Sequence, residues 1–520
     1  MKSKRHSSPP PPDTMQASLC TLQSIRKPAS TDCLPTMAGG FRTWIIRVTA
    51  LLLTACACQE AVSQTLSVLP ENPRYFSWRG RPLVIVGSAE HYGAVLNADF
   101  DYRKYLTTLS QDRLNHTRLF TGAAYVEPQG AFNIAKNPLA PDGTRYLTPW
   151  ARSDQPGYAG GGHRFDLSRW DESYFERLRD FVREAGRQKV IVEVNLFCPF
   201  YEESQWTLSP FHPGNNTQGA GQGISRTNVY TLDHHGGLLA IQERFVDRVV
   251  AELQSFDNLY YEICNEPYFG GVTLAWQAHI AQRIANAQAS HADPKLISQN
   301  IANNQAKVDA PLRHVSIYNF HYAAPPHAVA MNAHLRLPLG DNETGFRGTQ
   351  DAPYRMEAWD FLIAGGALFS HLDYSFTVGH EDGLFAYPST QPGGGNPVLR
   401  RQFRLLREFV EDFDLTRVKP DDSVLVGGIP STHTARALVE PGKRIGVYFR
   451  PAPATPSPIP ASDTPRALQV RVSAGQWDAT WIDPVTGGVV RKESQRVTDG
   501  NLSLQLPTLE QDLALSLVRR

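Results

Sequence analysis

The 520-residue chain lacks any surplus of charge: Lys plus Arg number 51 and Asp plus Glu number 51. A nucleic-acid surface needs a basic patch, and no Lys/Arg cluster interleaved with aromatics appears, which excludes nucleic acid as a partner. Cysteine is scarce. Downstream of Cys56 and Cys58 only Cys198 and Cys264 remain. Two thiols on separate predicted strands supply neither a metal cluster nor a disulfide framework, and they read as small buried apolar residues. No glycine-rich phosphate turn is present, because "VIVGSAEHYGAV" contains no G-x-G-x-x-G. No fixed-period repeat is visible. The apolar run Val48–Ala55 is short for a stable membrane span.

What the first sixty-odd residues do contain is a leader. "MKSKRHSSPPPPDTMQASLC" is rich in Pro and Ser and cannot bury a core. From Met37, Arg42 and Arg47 supply positive charge, an apolar run follows, and small residues come after it, as in a bacterial secretory signal peptide. Met37 then reads as the true start. "LTAC" also fits a lipobox, which would lipidate Cys56 and tether the chain to a membrane; the other reading is plain secretion with cleavage near Ser63-Gln64. Either way the expectation is export, to an extracellular, periplasmic or cell-surface location.

From Ser67 onward short β-rich runs alternate with amphipathic helical stretches. Eight strands are predicted: Leu83–Ser88, Asn115–Phe120, Val190–Leu196, Leu259–Cys264, Leu296–Ile301, Val315–Phe320, Leu337–Asp341 and Ala367–Leu372. Between them, "DESYFERLRDFVREAGRQ" sets Phe175, Leu178, Phe181 and Val182 at helical spacing, and "LLAIQERFVDRVVAELQ" does the same with Leu239, Phe245, Val249 and Leu253. Eight strands alternating with helices predict an α/β fold, a closed (β/α)8 barrel over residues 65–418. Two long insertions, Gly122–His163 and Phe197–His235, follow the second and third strands, at the end where barrels build their clefts. After Pro420 apolar and polar residues alternate between Pro-Gly, Asp-Pro and Thr-Gly-Gly turns. That pattern predicts a small all-β sandwich over 419–520, following the 1–64 extension and the barrel.

The chemistry sits at strand ends. "NLYYEICNEPYFGG" is a short apolar strand that stops on Asn265-Glu266, and "LRLPLGDNETGF" stops on Glu343. Barrel closure carries the ends of the fourth and seventh strands to opposite walls of one cleft. Two carboxylates facing each other there are the equipment for cutting a glycosidic bond, one donating a proton and the other attacking the anomeric carbon.

Those motifs, "YYEICNEP" and later "LGDNETGF", resemble clan A glycoside hydrolases, the cellulase-like family 5 group most closely, over about Pro82 to Leu415. The chain also resembles secreted barrels with C-terminal β-sandwiches, some of them apiosidase-like. The resemblance implies a (β/α)8 barrel enzyme that hydrolyses O-glycosidic bonds in poly- or oligosaccharides with retention, needing no cofactor and no metal. It implies Glu266 as general acid/base, Glu343 as nucleophile and Asn265 as a donor to the sugar 2-hydroxyl. "NHTRLF" resembles the family's Asn-x-x-Arg-Leu and puts Arg118 beside Glu343, where a cation favours the ionised carboxylate. "NFHYA" offers His321 and Tyr322 as partners of the two carboxylates. The family's spacing is His-x-Tyr; here the two are adjacent, so strand alternation points only one inward, and His321 is preferred. The third strand carries no His near its end, and "FSHLDYSFTVGHEDG" stands in place of an eighth-strand Trp platform.

Further candidates follow from position. His91 and Tyr92 end the first strand, and Asp373 and Tyr374 end the eighth, so each is a candidate for substrate contact at the cleft, with loop packing as the other reading. Trp206, in the insertion after the third strand, is a candidate stacking platform. Glu193 and Glu262 lie in strand bodies, and each is expected to sit in an interior ion pair rather than to take part in catalysis. "DHH" (Asp233, His234, His235) lacks a third metal ligand at useful spacing. Two other readings compete. A non-catalytic carbohydrate-binding barrel predicts loss of a catalytic carboxylate. A metal-dependent barrel hydrolase predicts His-x-His after the first strand, where "AEHYG" has a single His.

Overall fold

The computed structural model describes residues 64–452, 467–509 and 511–520. The leader, with Met37 and Cys56, and most of the proline-rich stretch after Pro451 lie outside them. The described residues all belong to one compact unit.

Eight parallel strands close into a barrel in chain order: Ile85–Ala89, His116–Phe120, Ile191–Asn195, Leu259–Glu262, Ile297–Asn303, Ile317–His321, Leu339–Glu343 and Leu368–Leu372. The first pairs with the eighth, Ile85 opposite Leu368, which closes the ring. These are the eight runs predicted from periodicity, with ends moved by a residue or two. The helix Glu172–Arg187 shows why the intervening segments behave as they do. The Asp171 side chain accepts from the backbone N–H groups of Ser173 and Tyr174, capping the first turn, and Tyr174, Phe175, Leu178, Phe181 and Val182 face inward. Helix Pro397–Glu411 begins the same way, with Asn396 as the cap and Pro397 in the first turn.

Beyond the barrel, a six-stranded antiparallel sheet and a three-stranded one enclose a second core around Trp477 and Trp481. This is the β-sandwich expected from the alternation after Pro420. The outer face of the larger sheet packs on the barrel helices. Trp359, in helix Asp351–Ile363, stacks on Tyr448 at 5.3 Å between ring centroids. Beneath it, Arg355 grips Asp512 through two hydrogen bonds of 2.7 and 2.9 Å, and Tyr448 donates to the same carboxylate.

Candidate active site

Every barrel strand ends toward one rim, and the rim holds a cavity of about 590 Å³. Its wall includes Glu266 and Glu343, with His91, Tyr92, Asn265 and Tyr322. Glu343 is the last residue of the seventh strand. Glu266 lies four residues past the end of the fourth strand, with φ +36°. Tyr92 and Tyr322 also have left-handed backbones, φ +55° and +54°. Non-glycine residues rarely adopt this region, and three of them around one cleft mark where the chain bends side chains out of strand alternation.

That bend corrects one expectation. His321 and Tyr322 are adjacent, yet both reach the carboxylates. His321 Nδ1 lies 3.2 Å from Glu266 Oε1 and 3.6 Å from Glu343 Oε1, and the Tyr322 hydroxyl donates to Glu343 Oε1 at 2.8 Å. His321 is in the strand, where register sets it opposite Glu343; Tyr322 has already left it, so the alternation rule no longer applies.

Glu343 is held on its other oxygen as well. Arg118 Nη1 donates to Oε2 at 2.9 Å and the Tyr92 hydroxyl donates to it at 3.0 Å. Arg118 is fully buried and forms the hub beneath the cavity. It also pairs with Glu193 at 2.6 Å and with Glu262, and donates to Asn265 Oδ1 at 2.7 Å. The interior ion pairs expected of Glu193 and Glu262 are therefore both made with Arg118, in the same cluster. One guanidinium serves several carboxylates, and burial, opposed by Arg118 and compounded by Glu193, pushes Glu262 up to about 7.

Glu266 is gripped by residues that sequence reasoning missed. The Tyr201 hydroxyl donates to its Oε2 at 2.7 Å and accepts from Asn265 Nδ2 at 2.8 Å. The Tyr268 hydroxyl donates to Oε1 at 3.2 Å. Tyr201 belongs to the long insertion after the third strand, and nothing local in "CPFYEES" signals it. Burial would raise the Glu266 carboxyl, but His321 and the two tyrosines outweigh it and hold it below its ordinary value. Burial would likewise depress His321, and the charges of Glu343 and Glu266 hold it above its ordinary value. Both directions favour the proton on His321, which lies between the two glutamates.

The remaining candidates divide. His91 lies on the cavity wall, its imidazole pushed down to about 3 by burial, so it is neutral. Tyr374 stands behind Phe346, 6.2 Å between ring centroids. Asp373 is not a cleft residue: its carboxylate is fully buried and accepts from Arg400 at 2.9 Å, from Ser88 at 2.9 Å and from Ser375, tying the eighth strand to helix Pro397–Glu411. Trp206 is not an open platform either. It sits in the short helix Glu203–Leu208, 4% exposed, packed on Phe200 and His212. The exposed rings at the cavity mouth are instead Phe132, Phe269 and Phe346.

Glu266, His321 and Glu343 each offer a ligand atom, all within 4.8 Å of one another. The donor set suits a cation poorly. Both oxygens of Glu343 already accept from Tyr322, Tyr92 and Arg118, and the guanidinium places a positive charge against the same carboxylate. Asp233 and His234 are exposed on a loop.

No family model matches the chain, and no curated protein matches it in sequence. Solved structures match it in fold. One is a glycoside hydrolase family 5 structure from Bacteroides vulgatus ATCC 8482, 14% identical, with a TM-score of 0.57 over 88% of this chain and 93% of that one. A candidate glycoside hydrolase from the same organism is 13% identical, with a TM-score of 0.60 over 88% and 83% of the two chains. A third, named glycoside hydrolase, is 13% identical, with a TM-score of 0.56 over 88% and 97%. At these identities the likeness is one of fold, and the chemistry has to be argued from the site.

Proposed function

We propose that the protein is a retaining glycoside hydrolase acting on poly- or oligosaccharides. The observation that carries this reading is the facing pair of carboxylates: an oxygen of Glu266 and one of Glu343 lie within 4.8 Å. That separation sits near the about 5–5.5 Å of retaining pairs and short of the about 6.5–9.5 Å that leaves room for an attacking water.

In the first step Glu343 attacks the anomeric carbon, the bond to the leaving oxygen breaks, and Glu266 gives that oxygen a proton. Tyr322, Tyr92 and Arg118 fix the attacking carboxylate in place. The proton comes from the Glu266–His321 pair. His321 Nδ1 lies 3.2 Å from Glu266 Oε1, so a proton held on the imidazole can pass to Glu266 and from there to the leaving oxygen. In the second step Glu266 takes a proton from water, whose oxygen attacks the same carbon and releases Glu343. Asn265, held by Arg118 and Tyr201, is the residue proposed to bond the sugar 2-hydroxyl. The protein is proposed to act after export, by plain secretion or tethered through Cys56; comparing the membrane fractionation of wild type and Cys56→Ser separates the two routes.

The reading is tested by presenting aryl glycosides and a polysaccharide panel to the purified protein and following the first-formed anomer by proton NMR. Retained configuration is expected, along with loss of turnover in Glu343→Gln. An inverted first product would remove the covalent step. Unchanged turnover in Glu343→Gln would move the site elsewhere.

A further inference from the structure

Glu127 lies in the long insertion after the second strand and lines the same cavity as the two catalytic carboxylates. It is 3% exposed. Its carboxylate accepts from the Tyr125 hydroxyl and from Gln205 Nε2 at 3.3 Å, both neutral donors. Among the described residues, the charge that bears on it is that of another carboxylate, Glu202. Arg226, the cation on the cavity wall, is engaged with Glu203 and the Phe200 carbonyl. A carboxylate has about four acceptor positions, and two are filled here. Burying such a group without a cation is costly, and a tie between two loops needs only an amide. The remaining acceptor capacity belongs to a residue that fronts the cavity.

The surroundings define what would meet it. The wall carries three carboxylates, Glu127, Glu266 and Glu343, and the faces of Tyr125, Phe132 and Phe346. A ligand that suits this wall presents hydroxyl donors and apolar ring faces and carries no negative charge. Glu127 stands off from the reacting pair: the Tyr125 ring that bonds it is 6.0 Å from the ring of Tyr201, which in turn bonds Glu266. We propose that Glu127 is a specificity-determining anchor, accepting hydrogen bonds from neighbouring hydroxyls of a neutral sugar unit away from the cleaved bond and disfavouring uronic or sulfated sugars. This rests on the carbohydrate reading of the site. It carries a pH signature. Burial, opposed by Tyr125 and Gln205, pushes the free carboxyl up to about 7. Sugar hydroxyls favour the ionised form, so the bound value lies lower. Affinity is then full above about 7 and weakens as pH falls below it, where the ligand must displace a proton.

The test is calorimetric titration of the full chain carrying Glu343→Gln, which prevents turnover, with cellotetraose, mannotetraose, xylotetraose and trigalacturonate. At least one neutral oligosaccharide is expected to bind, more tightly at about pH 8 than at about pH 6, and the galacturonate is expected not to. Adding Glu127→Gln should weaken that binding by roughly tenfold to a hundredfold, the range for a hydrogen bond to a charged group, and flatten its pH dependence. Urea midpoints of the two proteins report whether the fold is kept. If Glu127→Gln unfolds the chain, the pH dependence of the parent decides, and a flat profile overturns the proposal. Neutral binding that survives Glu127→Gln overturns it while leaving the carbohydrate reading intact. If no sugar binds the parent, the carbohydrate reading falls and the proposal with it.

Discussion

Replacing Glu266 by Gln removes the proposed proton donor and leaves the cavity otherwise intact. The Gln carbonyl oxygen still accepts from Tyr201 or Tyr268, which hold the native side chain at 2.7 and 3.2 Å, so the fold should survive. General acid help is worth about 10²–10⁴ in rate, or about 2.7–5.4 kcal/mol of barrier at 1.36 kcal/mol per tenfold. A natural glycoside needs all of that help and should lose all of it. A dinitrophenyl glycoside leaves without a proton, so its first step should hardly change, and the glycosyl-enzyme should accumulate because water has lost its base. A burst of phenolate followed by a slow steady state is the expected trace. Azide needs no base. With the two carboxylates within 4.8 Å in a cavity of about 590 Å³, it can occupy the place of the attacking water and release a glycosyl azide of retained configuration. Glu343→Gln has no intermediate to trap, so azide should give it only product of inverted configuration. Stopped-flow absorbance and proton NMR of the azide adduct read both outcomes. Retained azide product from Glu343→Gln and inverted product from Glu266→Gln would exchange the two roles, and equal deficits of Glu266→Gln on the natural and the activated substrate would refute proton donation.

Three further outcomes follow from buried groups. Glu90 is fully buried, bonded to the Gly93 and Ala94 backbone N–H groups, and burial raises its carboxyl from 4.5 to about 8. A raised carboxyl contributes stability at low pH that is lost as pH climbs from about 4.5 to about 8, on the order of 5 kcal/mol at 1.36 kcal/mol per unit; urea midpoints at pH 5, 7 and 8.5 should fall more steeply for wild type than for Glu90→Gln, and parallel curves would contradict it. Asp512→Ala leaves Arg355 buried without its partner between barrel and sandwich, and should cost about 3–5 kcal/mol in urea unfolding while sparing aryl-glycoside turnover in the folded fraction. Trp206→Ala should cost about 3–5 kcal/mol as a core truncation and leave KM unchanged; a raised KM at unchanged stability would restore the platform role.

Local pattern determined a good deal here. Period-two and period-3.6 apolar spacing are properties of a few consecutive residues, and they located all eight barrel strands, the helices between them and the β-sandwich after Pro420. Once a closed parallel barrel was implied, the rule that strand ends share one rim was enough to bring Glu266 and Glu343 together; the place of Arg118 beside Glu343 came from the family resemblance of "NHTRLF" and not from that rule. Tertiary structure decided what depends on backbone departures and on loops. Tyr322 reaches Glu343 because its backbone turns left-handed just past the strand, and no alternation rule anticipates that. Tyr201 holds Glu266 from an insertion whose path is set by packing against Phe132 and Phe269, contacts made across long stretches of chain. Asp373 ends a strand at the rim yet turns to Arg400, because a buried guanidinium from a distant helix needs a carboxylate more than the cleft does. Trp206 looked like a platform only while its loop had no shape; folded, that loop covers the indole, because an exposed Trp gains by burying its apolar surface wherever the chain allows.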